Sequence, residues 1–397
     1  MRFWRRDLKP SRDSLRGYIL EEVLAYLIRK TGYRLLVDPQ QDPQELAWAH
    51  NGLVVRGRGA VHQVDVLGEL SWIPAFTYPL RLFVEAKFRK ERTGIENVRN
   101  MVATLLDVNQ SNLPQATGAA GIALLPRAKF SYAGALFSTA GFSGPAMNMA
   151  LAHGISLVEI DTPEFRPLLD AITDSADRIV AWNEGIEAAA GAVLEADEAM
   201  PADDVPKLTG GLILALRTAL RESLGTQTFE AKEAATALAA QLTPLLDSAT
   251  SAAKETGLLF VGMSTGPFML ILKADDPEKF VDYVRDRPSH NVRIGWGAAL
   301  DDGGTWYITP FDQLGTDDGY RLTFRLPSVI RNWVFSEENT RRAAKHAKEQ
   351  FFPNISIVHV DGDRELLIRL KYSPSDVQLA VTQSGEAGTE SYEHGKQ

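Results

Sequence analysis

The sequence predicts an α/β chain: a mixed central sheet flanked by helices, then a helical stretch, then a separate α+β module. Three observations predict it. Over residues 11–162, amphipathic helical patterns alternate with short β-branched runs. Residues 166–256 are rich in Ala, Leu and Glu and nearly free of strand signal. From Leu258 strand-like runs return, separated by Gly/Asp turns. A chain of 397 residues accommodates two or three domains. The expected boundaries are 1–162, 163–256 as a helical spacer or set of helical hairpins, 257–373 as the α+β module, and 374–397 as a disordered polar tail.

In order, "GYILEEVLAYLIRKTGY" (17–33) is the first helix. At 100° per residue Ile19, Leu20, Val23, Leu24, Leu27 and Ile28 fill one half of its circumference, and Gly32 marks its end. "YRLLV" reads as a strand, "DPQQDPQ" as a loop, and "GLVVRGRGAVHQVDVLGEL" (52–70) as strand structure with a turn at Gly57-Arg58-Gly59. A segment containing Pro and aromatics, "SWIPAFTYP", separates it from the strand "LRLFVEAKFRK" (80–90). "GIENVRNMVATLLDV" has helical spacing. "GALFSTAG" is a strand, and the helix after it has Ser143 as N-cap, Pro145 in its first turn and Gly154 at its end. "ISLVEID" closes the unit as a buried strand. The helical stretches of the middle region are 166–198, 207–224 and 228–255, broken at "MPADDVP", without sustained heptads. The last module has a helix capped by Asp276, a helix over 336–350, and a hairpin turning near Asp361-Gly362-Asp363.

Composition narrows the function classes. No run of about 18 apolar residues suggests a membrane span, and the basic start "MRFWRR" lacks the apolar core of a signal peptide. The absence of cysteine excludes disulfides, thiolate metal sites and a thiol nucleophile, and fits a cytoplasmic protein. There is no Gly-x4-Gly-Lys-Ser/Thr loop and no Gly-x-Ser-x-Gly elbow, so neither an ATP motor nor that kind of serine hydrolase is indicated. Charge is uneven: residues 1–162 hold 19 Lys and Arg against 15 Asp and Glu, the remainder 23 against 36. The basic part is the one expected to meet an anionic partner.

Chemistry concentrates in the "VEAKF" strand. Residues i and i+2 of a strand share a face, so Arg81, Phe83, Glu85 and Lys87 point one way and Leu82, Val84, Ala86 and Phe88 the other. An acid and a base are thereby aimed at one point. Asp65, in "VHQVDVL", shares a face with Val61, Gln63 and Leu67, and is costly to bury unless a cation meets it. On the first helix Glu21 falls at about 200°, at the rim of the apolar arc, and Glu22 at about 300°, facing away. If the Asp65 strand pairs with 81–88, Asp65 and Glu85 converge into the oxygen-rich site that Mg²⁺ takes. Such an ion acts on a phosphodiester oxygen as a Lewis acid and acidifies a bound water, and Lys87 on the same face can orient that water.

Asp65-x19-Glu85-x-Lys87, preceded by a helix glutamate, resembles the PD-(D/E)xK nuclease superfamily, and residues 11–162 are similar to the Mrr-like (type IV) restriction endonuclease domain. The opening helix is similar to that family's Gly-x-x-Phe-Glu helix and closing Gly-Tyr. "GRGAVHQVDV" resembles its glycine-flanked aspartate strand, "VEAKF" its Glu/Gln-x-Lys strand, and "ALFSTAGFSGPAMNMALAHGISLVEID" its last strand, helix and strand. The match departs at His62-Gln63, where many members have two glycines, and in the longer stretch between Asp65 and Glu85.

The resemblance implies a restriction-endonuclease-like fold and a Mg²⁺-dependent DNA endonuclease, with Mn²⁺ able to substitute, active in restriction or antiviral defence. Asp65 and Glu85 would hold the metal, Glu21 assist directly or through water, and Lys87 serve as catalytic lysine. Arg56, Arg58, Arg89, Lys90, Arg92 and Arg99 are read as DNA-backbone contacts, Gln63 as a residue near substrate or metal water, and His62 as a packed residue. Cutting both strands with one site per chain favours a homodimer or higher oligomer. Two alternatives stay open: a structure-specific repair or junction nuclease using the same residues, and a non-catalytic DNA-binding or assembly protein on this fold. The C-terminal half carries no chemical motif. Trp306, Tyr307, Phe311 and Trp333 are there either a core or a stacking surface, and the module is a place for a regulatory ligand or partner protein.

Overall fold

The structure, a computed structural model, describes residues 10–49, 52–71, 77–110, 130–196, 208–226, 233–265, 268–296, 305–311, 319–336, 340–361 and 364–372. The basic start, most of "SWIPAFTYP", the "MPADDVP" break and the expected disordered tail lie outside these residues. The chain divides into two compact units, Met1–Gly257 and Leu258–Gln397.

The first unit opens with α1 (Arg12–Arg29), whose start is capped by the Ser11 hydroxyl accepting from the Ser14 N–H at 3.1 Å. Strand β1 (Tyr33–Leu35) follows, then a 3-10 turn at Pro39–Gln41, and β2 (Leu46–Ala49), β3 (Gly52–Arg56), β4 (Val61–Gln63), β5 (Val66–Leu70) and β6 (Leu80–Lys87). Next come α2 (Ile95–Gln110), β7 (Ser131–Ser138), α3 (Gly144–His153) and β8 (Ser156–Glu159). Five strands form a mixed sheet in the order β1-β5-β6-β7-β8, antiparallel on the β5 side of β6 and parallel on the β7 side. β2, β3 and β4 make a separate small sheet.

Helix α1 lies against β5 and β6 and buries Leu15, Ile19, Leu20, Val23, Leu24 and Ile28. Gly68 in β5 permits this approach, because a Cβ there would meet Tyr33 Cβ at 3.0 Å and Ile28 Cγ2 at 3.3 Å. Helix α2 packs on β7 and against α3, around Val98, Met101, Leu136, Ala146 and Ala150. The predicted caps of α3 are both present: Ser143 accepts from the Ala146 N–H, and Gly154 takes the left-handed conformation at φ 66°.

The middle region forms α4 (Arg166–Ala196), α5 (Leu208–Leu224), α6 (Glu233–Leu242), a 3-10 turn at Thr243–Leu245 around Pro244, and α7 (Asp247–Thr256). The stretch expected as a spacer belongs to the first compact unit: α4, α5 and α7 all pack on α1. That packing corrects one expectation. Glu22, placed by helical phase on the outward side, is only 3% exposed because α5 covers it.

The second unit comprises β9 (Phe260–Met263), β10 (Met269–Ala274), α8 (Pro277–Asp286), β11 (Ser289–Trp296), β12 (Thr305–Pro310), β13 (Leu322–Arg325), α9 (Ser328–Ser336), α10 (Thr340–Phe351), β14 (Asn354–Asp361) and β15 (Arg364–Tyr372). Its strands close into a seven-stranded barrel, ordered β10-β13-β12-β11-β15-β14-β9 and sealed by β9 against β10. The sequence reading of an α+β module lacked this closure, which depends on the parallel pairing of β11 with the distant β15. The core contains Trp306, Phe324, Phe352, Ile355 and Ile368, with Phe280 of α8, Ile330 of α9 and Ala344 of α10. Trp306 is therefore a core residue; Tyr307, Phe311 and Trp333 are half-buried. Lys348 of α10 is buried with its ammonium 4.7 Å from the Trp296 ring centre and 5.5 Å from that of Trp306, and burial lowers its pKa to about 8. No helix among the described residues is long and apolar enough to cross a membrane.

Candidate active site

Asp65 lies in the bend between β4 and β5, where the chain passes from the small sheet to the large one, and not inside a continuous strand as its alternating neighbours suggest. Val66 pairs with Val84, so the next residue down each strand is Asp65 on one side and Glu85 on the other. The Ala86 N–H donates to Asp65 Oδ2 at 2.8 Å and fixes the carboxylate beside β6. Lys87, two residues beyond Glu85, forms an ion pair with it. The other end of this face is closed. Arg81 is buried, pairs with Asp42 and Glu69 at 2.8 Å each, and donates to the Tyr132 hydroxyl at 3.1 Å.

Glu21 reaches the same region from α1. Burial pushes its pKa up to about 7, against the pull of Arg217, while the nearby charges of Asp65 and Glu22 push it further up. Asp65 is also raised, by burial first; the Ala86 N–H and Lys87 oppose the shift, and Glu85 adds to it. Pairing sets Glu85 across from Asp65, and Glu21 and Asp65 line one cavity. The four residues singled out by sequence thus converge, although they come from two strands, a bend and a helix.

Helix α5 adds what sequence reasoning missed. Arg217 donates from Nη2 to Glu21 Oε2 at 2.6 Å and from Nη1 to Glu22 Oε1 at 2.8 Å. Arg221, one turn on, makes a bidentate pair with Glu22 through Nε and Nη2 at 2.7 Å each. Burial alone would raise the Glu22 carboxyl, but Arg221 and Arg217 outweigh it and hold the group below the ordinary carboxylate range. The signal for this contact is in the sequence: two arginines four apart in the apolar run "LILALRTALRESL", and two adjacent acids on α1.

A cavity of about 650 Å³ opens beside Glu21 and Asp65; Glu85 and Lys87 do not line it. Glu21, Gln63 and Asp65 line it on the sheet side, Leu214 and Arg217 on the α5 side, and Trp48 of β2 also borders it. Trp48, 54% exposed, is a second residue that sequence reasoning passed over. Of the expected DNA contacts only Gln63 lines this cavity. Arg56, Arg58, Arg89, Lys90, Arg92 and Arg99 are exposed and line none of it. His62 pairs with Asp107 of α2 at 2.8 Å, and Asp107 also accepts the Gly59 and Ala60 N–H groups, so His62 ties the small sheet to α2.

The donors fit a hard divalent cation in chemical kind, being carboxylate oxygens only. Among the described residues no three acidic or histidine side chains form a ready cage: Glu85 is turned to Lys87 and Glu21 to Arg217. Burial first, and neighbouring carboxylates second, disfavour charge on Glu21 and Asp65, and a cation there would offset both.

No family model and no curated protein matches the chain. A crystal structure of a protein of unknown function, AF1548, is similar at 16% identity over 60% of this chain and 98% of that one, with a TM-score of 0.29; a likeness of this size carries no argument.

Proposed function

We propose that the protein is a Mg²⁺-dependent deoxyribonuclease of the PD-(D/E)xK kind, resembling Mrr-like restriction enzymes and acting in defence against foreign DNA. One observation carries this reading: an aspartate, a Glu-x-Lys pair and a helix glutamate, far apart in the chain, gather beside one edge of the β5–β6 pair. Asp65 and Glu85, with Glu21, would hold the metal, which supplies Lewis acidity to a phosphodiester oxygen and acidifies a water.

The chain's own groups do the rest. The Ala86 N–H keeps Asp65 oriented. Lys87, whose charge is held over the site by Glu85, orients the attacking water and offsets negative charge developing on phosphate. Gln63 flanks the approach to Asp65. The exposed cations Arg56, Arg58, Arg89, Lys90, Arg92 and Arg99 contact backbone phosphates without reading sequence. Two chains acting together would cut both strands of a duplex.

The ion pairs that occupy Glu21 and Glu85 favour a second reading, a DNA-binding protein that has lost cleavage. Incubation of the purified chain with supercoiled plasmid and phage DNA separates the two. Nicking in Mg²⁺ or Mn²⁺ that EDTA abolishes is the expected result. Binding without cleavage of linear, supercoiled or branched DNA in either metal would overturn the nuclease.

A further inference from the structure

Arg217 stands in an unusual relation to its two acids. Glu22 already has a complete partner, because Arg221 engages both of its oxygens through a bidentate fork. Arg217 is a second partner of Glu22 and also pairs with Glu21, at the edge of the cavity that Asp65 also lines. Its guanidinium also lies 5.4 Å from the Tyr18 ring centre, so its plane is supported from the α1 side. A planar fork spanning two carboxylate oxygens matches, in spacing and charge, two non-bridging oxygens of a phosphate.

The cavity's size bears on what presents that phosphate. About 650 Å³ lies within the range that encloses one small-molecule-sized ligand. One or two nucleotides of a single strand fit such a space; a duplex, with two backbones and the base stack between them, does not. Ile213 and Leu214, one turn before Arg217 on α5, give the wall an apolar surface, and Trp48 gives the border an aromatic one, the pairing of surfaces that unstacked bases use.

We propose that Arg217 is a phosphate-binding residue of a single-strand subsite, in which one or two unpaired nucleotides lie between α5 and Asp65 with the Arg217 fork on the phosphate next to the scissile one. This rests on the nuclease reading above and makes α5 part of the substrate site. The preferred cutting position is then an unpaired or frayed stretch, within a duplex or in a free single strand.

Binding tests it without requiring cleavage. A labelled single-stranded tetranucleotide, a labelled blunt hairpin duplex of about ten base pairs, and a version of the tetranucleotide with one neutral methylphosphonate linkage are titrated by fluorescence anisotropy. Ca²⁺ replaces Mg²⁺, a gel confirms that the DNA is intact, and melting curves confirm that each variant is folded. The wild-type chain is expected to prefer single strand over duplex. Arg217→Gln is expected to weaken single-strand binding about tenfold, the scale of one charged hydrogen-bonded contact. The methylphosphonate is expected to weaken the wild type about as much and Arg217→Gln hardly at all. Arg217→Lys, which keeps the charge but loses the fork, falls between them and carries the same comparison if Arg217→Gln does not fold.

Equal methylphosphonate losses in wild type and variant, or tighter binding and faster cleavage by Arg217→Gln, would overturn the proposal and make Arg217 a structural tie or a block. A wild type that shows the Arg217-dependent binding yet cleaves nothing in Mg²⁺ or Mn²⁺ would remove the nuclease reading and leave a single-strand binding site.

Discussion

Replacement of Glu22 by Gln tests the packing of α5 on α1 most severely. The carboxylate is 3% exposed and faces three guanidinium contacts of 2.7–2.8 Å, one from Arg217 and two from Arg221. Removing one partner of a buried ion pair leaves the other charge uncompensated and costs about 3–5 kcal/mol. Gln keeps one acceptor oxygen, so the expected loss is near the lower end, about 3 kcal/mol. For a unit of this length that corresponds to a fall of roughly 6–12 °C in the melting midpoint of the first unit, followed by far-UV circular dichroism. The pH dependence has a fixed sign. Glu22 titrates below its ordinary value in the folded chain, so its contribution is present at neutral pH and is lost as pH falls through the folded value. Wild type and Glu22→Gln therefore converge in acid. The pair Glu22→Gln and Arg221→Gln should be non-additive, the double variant recovering part of the sum. A midpoint change below about 2 °C at pH 7, or strict additivity, would refute the reasoning and with it the burial of Glu22 under α5.

Two further outcomes are expected. Lys348, lowered to about 8 by burial, weakens the fold wherever it must carry charge, so Lys348→Met should stabilise the second unit at pH 7 by about 1–3 kcal/mol; the gain should shrink as pH rises through about 8 and be mostly gone by about pH 10, and urea melts at pH 7 and pH 10 check it. Glu21 at about 7 and the raised Asp65 must both ionise to hold a cation, so Mn²⁺ affinity measured by calorimetry should rise about tenfold from pH 6 to pH 8 in wild type and much less in Glu21→Gln.

Much of the first unit was legible because its signals are local. The apolar arc of α1, the Ser143 and Gly154 caps of α3 and the alternating strand at 80–87 each follow from residues a few positions apart. The four candidate residues were singled out from their types and spacing, and the Asp65–Glu85 adjacency and the Glu85–Lys87 pair follow from strand register. The bend at Asp65 was not, because nothing local tells that β4 and β5 join different sheets. Nor was the burial of Glu22, since helical phase describes one helix alone while the outward side of α1 is covered by helices more than about 130 residues further along the chain. The barrel was hidden for the same physical reason: its closure rests on β9 with β10 and β14, and on β11 with β15, pairings whose register is set by tertiary packing. Arg217 and Arg221 were readable as a pair on one helix face, but their acids lie on another element and only folding joins them.

The central claim is that Asp65, Glu85 and Lys87 form one hydrolytic site, and single-turnover nicking of supercoiled plasmid in Mg²⁺ tests it most directly. Asp65→Ala, Glu85→Gln and Lys87→Ala are compared with wild type and with an exposed control in the second unit, Arg369→Ala on β15. The account predicts a loss of at least about a hundredfold in each of the three, with melting midpoints near that of wild type and full activity in the control. Retention of wild-type nicking by a folded Asp65→Ala or Lys87→Ala would contradict it.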